Sequence, residues 1–150
     1  MKKKLCLVIA LLLLAVTFAG CTRTPITAEE FEEKAGAAGF EITVLDDEIA
    51  AQYERDLELT KYDDGIWMNF TYCFTEADAK ILYDSWVASE GLERASGSYS
   101  QANMSNYNYY KLTSGNGYFV AYRVEKAVLY IDAYKAYKSE VNDFLESLGW

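Results

Sequence analysis

The residues best suited to chemistry in this sequence are two runs of carboxylates. Asp46-Asp47-Glu48 forms the first run and Asp63-Asp64 forms the second. Carboxylate oxygens bind hard cations such as Ca²⁺, but neither run has the spaced acidic positions and distal glutamate of a calcium-binding loop. Acidic residues in short runs more often form turns and solvated surface. We therefore expect no metal site, and no cofactor is implied.

The sequence contains few candidates for acid–base catalysis, because it has no histidine. A general base would have to be a carboxylate, a lysine or a tyrosine with a strongly shifted pKa, and the sequence gives no sign of one. Cys73, in the alternating run Ile66–Phe74, would need a nearby base to lower the pKa of its thiol. We expect Cys73 to be a slowly reacting packing residue, and we predict no catalytic residue.

Cys21 follows three segments that together indicate export from the cytoplasm. Lys2–Lys4 are positively charged, Leu5–Phe18 is apolar but short for a membrane span, and Phe18-Ala19-Gly20 ends in small residues that suit cleavage. The arrangement resembles the bacterial lipoprotein signal, in which the cysteine is acylated and becomes the first residue of the mature chain. An ordinary signal peptide or a short membrane anchor is the alternative.

This resemblance implies a division of the chain into three parts. Residues 1–20 would be the lipoprotein signal peptide, residues 21–26 the lipidated Cys21 with a short tether, and residues 27–150 a single domain. A tether of about five residues reaches roughly 17 Å when fully extended, so the domain would lie close to the membrane. We therefore expect a lipid-anchored protein on the extracytoplasmic face of the cell membrane.

The mature chain is strongly acidic. Removing residues 1–20 removes three lysines and no acidic residue, which leaves 11 basic and 23 acidic side chains and a net charge of −12. Such a charge repels nucleic acid and an anionic membrane surface, and it favours a cationic partner. The remaining residues are enough for one domain with a substantial core.

Three predicted helices frame the sequence. The first begins at Thr27, which forms a capping box with Glu30, and it stops at Gly39. The second begins at the cap Thr75 and ends at Gly91. The third carries apolar residues at helical spacing, at Tyr134, Tyr137, Val141, Phe144, Leu145 and Leu148.

Between the helices, runs of residues alternate between apolar and polar types, which is typical of strands with one covered face. The predicted strands are Phe40–Leu45, Leu57–Tyr62, Ile66–Phe74, Asn106–Thr113, Tyr118–Val124 and Ala127–Ala133. The polar segment Ala95–Ser105 is expected to be a mobile loop. The predicted fold is therefore α+β, a mainly antiparallel sheet with helices packed on one face, in the order α-β-β-β-α-β-β-β-α.

The 13 tyrosines are the feature that most suggests binding, and strand parity places several of them. If Glu125-Lys126 is a two-residue hairpin loop, Tyr122 faces Leu129 on the core side of the sheet. For the preceding hairpin we favour a three-residue loop, Gly115-Asn116-Gly117, because it turns Leu112 inward. A two-residue loop would invert that strand.

With the three-residue loop, aromatic and basic side chains gather on the outward face of the sheet. Such a surface has the composition of a binding patch. A helix that covers this face would instead make it part of the core. The candidate binding residues are Trp67, Tyr107, Tyr109, Lys111, Phe119, Arg123 and Tyr130.

The TPIT-AEEF segment that opens the domain, the helix–strand order and the lipoprotein signal together resemble a set of small, uncharacterised lipoproteins of Gram-positive Firmicutes. The resemblance implies a location at the cell surface. It carries over no activity and no functional residues.

We interpret the protein as a non-enzymatic binding module of the cell envelope, because an interaction surface needs only shape and composition whereas an enzyme needs an activated group. Its partner would be an envelope glycan, a peptide or a cationic protein, and not nucleic acid. One alternative is an acidic inhibitor or immunity-type protein that captures a cationic secreted enzyme. Another is an envelope hydrolase or glycan-modifying enzyme, for which a deep pocket with two carboxylates would be the sign.

Overall fold

A computed structural model describes residues 22–92 and 95–150, which form three α-helices and seven strands. The helices are α1 (Ala28–Ala37), α2 (Glu76–Ser89) and α3 (Lys138–Ser147). The strands are β1 (Glu41–Val44), β2 (Arg55–Lys61), β3 (Ile66–Tyr72), β4 (Ser98–Asn103), β5 (Tyr107–Ser114), β6 (Gly117–Val124) and β7 (Ala127–Tyr134). The predicted signal peptide, residues 1–20, and Cys21 lie outside the described residues.

The strands form one antiparallel sheet in the order β1-β2-β3-β7-β6-β5-β4. The predicted α+β class and antiparallel sheet are therefore confirmed. Helices α1 and α3 pack on one face and α2 packs on the other, so the prediction that the helices share one face is wrong. Within the described residues, no helix is both long enough and apolar enough to cross a membrane.

The first face is covered by α1 and α3. The Thr27 hydroxyl accepts the Glu30 N–H at 3.2 Å and the Glu30 carboxylate accepts the Thr27 N–H at 3.1 Å, so α1 begins with the predicted capping box. The Phe31 ring of α1 then stacks on Phe70 of β3, with ring centroids 3.7 Å apart. Phe144 of α3 meets the edge of Phe31 at 5.9 Å, which joins the two helices over the sheet.

The second face is covered by α2 alone. Thr75 caps this helix by accepting the Asp78 N–H at 3.1 Å, as its position in the sequence predicts. Ala79, Tyr83 and Val87 are buried along its inner side. They pack over β7 and the middle of the sheet, so both faces of the sheet are buried there. Strands buried on both faces do not show the alternation of apolar and polar residues that is typical of a sheet with one covered face.

Strand β4 occupies most of the segment that was expected to be a mobile loop. It pairs with β5 from Ser98↔Thr113 to Asn103↔Asn108 and forms the edge of the sheet. Its side chains are mostly exposed, so the sequence carries no apolar alternation there. Backbone pairing defines this strand, and composition alone indicated a loop. The observed order is therefore α-β-β-β-α-β-β-β-β-α.

The turn between β5 and β6 corrects the predicted parity. Ser114 pairs with Gly117, so the loop is the two residues Gly115 and Asn116 rather than three. Gly115 has φ +55°, which suits the tight turn. Leu112 is buried even so, because it points toward α2. Burial of Leu112 does not distinguish a two-residue loop from a three-residue loop, because helices cover both faces of the sheet.

Candidate functional site

Part of the predicted binding face lies together beneath α2. Trp67, Phe119 and Tyr130 share the second face of the sheet, as predicted, but α2 covers them. Tyr130 is 7% exposed and its ring lies between those of Trp67 and Trp86, at centroid distances of 6.0 and 5.8 Å. These aromatics belong to the core, which is the alternative that the sequence left open.

Arg123 lies on the same covered face and is 3% exposed. Its guanidinium donates to Asn108 Oδ1 at 2.6 Å and to the carbonyl oxygens of Glu125 and Ser105 at 3.1 and 3.4 Å. Burial lowers its pKa from the ordinary value of 12.5. Arg123 therefore ties two turns together, and it is not a surface cation.

The other predicted residues lie on the opposite face. Tyr107, Tyr109 and Lys111 face α3 because the two-residue turn inverts β5 relative to the expectation. The rings of Tyr109, Tyr122 and Trp150 stack in sequence at 5.4 and 5.2 Å. Among the described residues, the seven candidates therefore lie on two covered faces of the sheet and do not form one open surface.

The sheet has two ends that differ in the side chains they expose. The near end carries the Glu125-Lys126 turn and the start of β5, and the far end carries the turns at 62–65 and 115–116. Large exposed side chains at the near end are aliphatic, Phe or Met: Val44, Ile49, Phe74 and Met104. Those at the far end are tyrosines: Tyr62, Tyr99 and Tyr134.

The N-terminal segment leaves the domain at the near end. Asn106 Nδ2 donates to the Arg23 carbonyl at 2.9 Å, and the Arg23 guanidinium lies 5.5 Å from the Tyr107 ring centroid. Trp150 Nε1 donates to the Thr24 carbonyl at 3.3 Å, and Ile26 is buried. Residues 23–26, which belong to the short tether predicted at 21–26, therefore pack on the domain.

A surface that we call the far tyrosine patch, formed by Tyr62, Tyr134 and Tyr137, lies at the opposite end. The rings of Tyr62 and Tyr137 stack with centroids 4.9 Å apart. Tyr134 and Tyr137 line an open cleft of about 390 Å³ together with Asn116 and Lys135. Tyrosine rings beside amide and ammonium groups offer both apolar contact and hydrogen bonding to a ligand.

The turn that carries Tyr62 is conformationally costly. Tyr62, Asp63 and Asp64 have φ values of +59°, +47° and +65°, in the left-handed region that L-residues rarely adopt. Such residues cost on the order of 1–3 kcal/mol each, although Asp tolerates this region better than Tyr. A Cβ at Gly65 would lie 2.7 Å from the Tyr137 ring, so this glycine lets the ring approach. The fold thus holds the stacked pair in place.

An ion pair between Lys61 and Glu140 lies beside the far tyrosine patch. Lys61 Nζ contacts Glu140 Oε1 at 2.5 Å and donates to the Ala38 carbonyl at 2.7 Å. The hydrogen bond to Glu140 raises the pKa of Lys61 above its ordinary value of 10.5. The Tyr62 hydroxyl donates to the same Glu140 carboxylate at 3.3 Å. Glu140 therefore links α3 to the tyrosine turn.

The acidic runs serve as turn residues. Asp47 Oδ1 accepts the N–H groups of Ile49 and Ala50 at 2.9 and 2.8 Å, in the turn that leads into the short 3₁₀ helix Ala50–Gln52. Asp63 and Asp64 form the left-handed turn described above. The described residues contain no group of three or more Cys, Asp or Glu side chains placed to hold a metal ion.

One cleft of about 600 Å³ at the near end does bring carboxylates together. Glu32 in this cleft pairs with Arg55 through two hydrogen bonds of 2.8 and 3.1 Å. Glu54 pairs with Lys126 at 2.5 Å. Three carboxylates line this cleft, those of Glu29, Glu32 and Glu54. Glu32 and Glu54 are engaged in ion pairs and are therefore poorly placed for acid–base work.

Sequence reasoning missed the far tyrosine patch. The helical spacing predicts Tyr134 and Tyr137 on the apolar stripe of the last helix, whereas Tyr134 ends β7 and Tyr137 precedes α3. Tyr62 was placed at the end of a strand. The Asp-Asp-Gly sequence at 63–65 was the available signal, because it marks a turn directly after Tyr62.

Comparisons with known proteins add a likeness in fold. No protein-family model matches the chain, and no curated protein matches it. The chain is similar to the crystal structure of a GTP binding regulator from Thermotoga maritima, with 12% identity and a TM-score of 0.50 over 85% of this chain and 89% of that chain. At this identity the likeness shows the fold alone.

Proposed function

We propose that the protein is a lipid-anchored, non-enzymatic binding module on the extracytoplasmic face of the membrane, as in small lipoproteins of Gram-positive Firmicutes. Cys21 carries the lipid, and the far tyrosine patch binds a saccharide of the cell envelope. The observation that carries this proposal is that the N-terminal segment leaves at the near end of the sheet while the exposed tyrosines gather at the far end.

Anchoring at Cys21 would hold the near end against the membrane. Only Thr22 lies between Cys21 and the packed Arg23, and two residues span roughly 7 Å at most. Strand β6 has eight residues, so the far end lies roughly 27 Å further out at 3.4 Å per residue. The far tyrosine patch would then face the cell wall.

The composition of the patch favours a saccharide. The faces of pyranose rings are apolar and stack on aromatic side chains, while their hydroxyl groups need donors and acceptors. Tyr134 and Tyr137 supply rings, and Asn116 and Lys135 supply hydrogen-bonding groups in the same cleft. The cleft is open, as an internal segment of a long polymer requires.

Co-sedimentation with purified, insoluble cell-wall polysaccharide tests this proposal on the full chain in detergent. We expect Tyr134→Ala and Tyr137→Ala each to weaken binding by about two- to twelvefold, the effect of losing an aromatic contact of roughly 0.5–1.5 kcal/mol. Phe74→Ala is the control, because Phe74 is an aromatic at the near end that is 54% exposed, against 62% for Tyr134. It should leave binding unchanged.

Two outcomes would contradict the proposal. The first is an absence of binding by the parent chain. The second is binding that ignores both tyrosine substitutions and collapses with added salt, which would point instead to acidic capture of a cationic partner.

A further inference from the structure

We propose that a pocket between α3 and the β4–β5 edge, which contains Lys111 and Lys138, is a binding site for a phosphate group. The pocket has a volume of about 300 Å³ and is distinct from the far tyrosine patch. Its lining residues are Ser98, Tyr99, Ser100, Lys111, Thr113, Tyr118, Lys138 and Asn142.

The two ammonium groups are held by neutral partners. Lys111 Nζ donates to Asn142 Oδ1 at 3.2 Å and lies 5.7 and 5.8 Å from the ring centroids of Tyr109 and Tyr122. Lys138 Nζ donates to Thr113 Oγ1 at 3.1 Å and lies 5.1 Å from the centroid of a third ring, that of Tyr118. None of the described lining residues is a carboxylate.

This arrangement is unusual in so acidic a protein. The chain carries 23 acidic side chains against 14 basic ones, and Lys34, Lys61, Lys80 and Lys126 each bond a carboxylate or a backbone carbonyl. Lys111 is half-buried, and burial together with the positive charges of Arg23 and Lys138 lowers its pKa from 10.5, while Glu146 opposes that change. An anion in the pocket would relieve this repulsion.

The donors in the pocket suit a tetrahedral oxyanion better than a planar carboxylate. Lysine ammonium groups bind phosphate as point charges, and a phosphate group offers two such cations more negative charge and more acceptor oxygens than one carboxylate does. Ser98, Ser100 and Thr113 line the same pocket, and their side chains carry hydroxyl groups that are able to donate to phosphate oxygens. Asn142 stays in place because its Nδ2 donates to the Lys138 carbonyl at 2.8 Å.

The inference goes beyond the proposed function and does not depend on it, because the pocket stands on α3 and β5 whether or not the chain is anchored. Inorganic phosphate is the probe. The full chain in detergent is titrated by calorimetry, and its thermal unfolding midpoint is followed, at constant ionic strength set with chloride. We expect saturable binding of phosphate and a matching rise in the midpoint.

Substitutions locate the site. Lys111→Met removes the half-buried charge with little change in shape, and Lys138→Gln removes the exposed one; each should weaken phosphate binding by roughly tenfold or more, the effect of one lost charge contact. Lys80→Gln is the control, since Lys80 is an exposed lysine paired with Asp84 on α2. If Lys111→Met fails to fold, Lys138→Gln alone decides the test.

Three results would overturn the inference. Phosphate could act no differently from chloride at equal ionic strength. Both pocket variants could bind phosphate as tightly as the parent does. Acetate could bind as tightly as phosphate, which would remove the preference for a tetrahedral oxyanion.

Discussion

At the scale of single residues, Asp56 shows a conflict between burial and charge. It is 8% exposed, and its carboxylate accepts hydrogen bonds from Thr71 Oγ1 at 3.0 Å and Asn69 Nδ2 at 3.1 Å. Burial nevertheless raises the pKa of Asp56 above 3.8, because desolvation outweighs the stabilising hydrogen bonds. The folded state therefore binds this proton more tightly than the unfolded chain does.

The raised pKa of Asp56 determines how the stability of the fold depends on pH. The stabilisation from protonated Asp56 is fully present below pH 3.8, the unfolded value, and is lost as the pH rises through the raised folded value. We expect Asp56→Asn to raise the free energy of unfolding at pH 7 and to lose this advantage in acid. Urea unfolding across that range measures it, with exposed Asp143→Asn as the control. A destabilised Asp56→Asn at neutral pH would contradict the assignment.

Cys73 is another residue whose reactivity is set by its surroundings. It is fully buried, and burial raises the pKa of its thiol to about 12. Because the thiolate is the reactive form, we expect labelling by a thiol reagent at pH 7 to be slow until the protein is unfolded. The measurement uses a chain with Cys6→Ser and Cys21→Ser, so that only this thiol is counted. Rapid labelling of the folded chain would show that the site opens.

At the scale of elements, α2 decides what the second face of the sheet does. Leu129 lies under α1 and α3, and Tyr130 lies under α2, so adjacent residues of β7 belong to two different core layers. We expect Leu129→Ala and Tyr130→Ala each to cost about 2–5 kcal/mol, because each leaves a cavity in a packed layer. Exposed Tyr134→Ala on the same strand is the control. Denaturant unfolding measures all three.

A different result at Tyr130 would revise the fold. If Tyr130→Ala cost no more than Tyr134→Ala, α2 would not pack on the sheet in solution. The second face would then be the open surface that the strand parity suggested.

Local signals in the sequence predicted elements well, and long-range packing explains what they missed. The caps at Thr27 and Thr75 and the Glu125-Lys126 turn are confirmed, because each is defined by residues within a few positions of one another. The sequence could not distinguish a two-residue from a three-residue β5–β6 turn, because Leu112 would be buried with either one. Strand β4 lies at the edge of the sheet and most of its side chains are exposed, so its sequence shows no alternation of apolar and polar residues that would predict a strand.

At the scale of the whole molecule, the two ends of the sheet expose different large side chains, and Ile81, which is also exposed, lies on α2. The far tyrosine patch depends on residues from the 62–65 turn and the β7–α3 junction, which are about 70 positions apart in the sequence. No local pattern could have joined them. The fold brings the residues of the candidate binding site together, whereas the proposed anchor at Cys21 is inferred from the sequence alone.

Lipidation of Cys21 makes a direct prediction about the mature protein. We expect mass spectrometry of the membrane fraction to find a chain that begins at an acylated Cys21, because the charged, apolar and small-residue segments converge there. Cys21→Ala should release the domain or leave an unprocessed precursor. An unmodified Cys21, or a different first residue, would contradict the anchor.

In the proposed function, the lipid anchor and the far tyrosine patch occupy opposite ends of the domain, and lipid-to-protein fluorescence quenching measures this arrangement. The lipidated chain, with Cys73→Ala, is reconstituted in vesicles containing headgroup nitroxide lipids and labelled at Ile49→Cys or at Asn116→Cys, both exposed positions. We expect strong quenching at position 49, at the near end, and little at position 116, at the far end. Equal quenching at both positions, or stronger quenching at 116, would contradict the account.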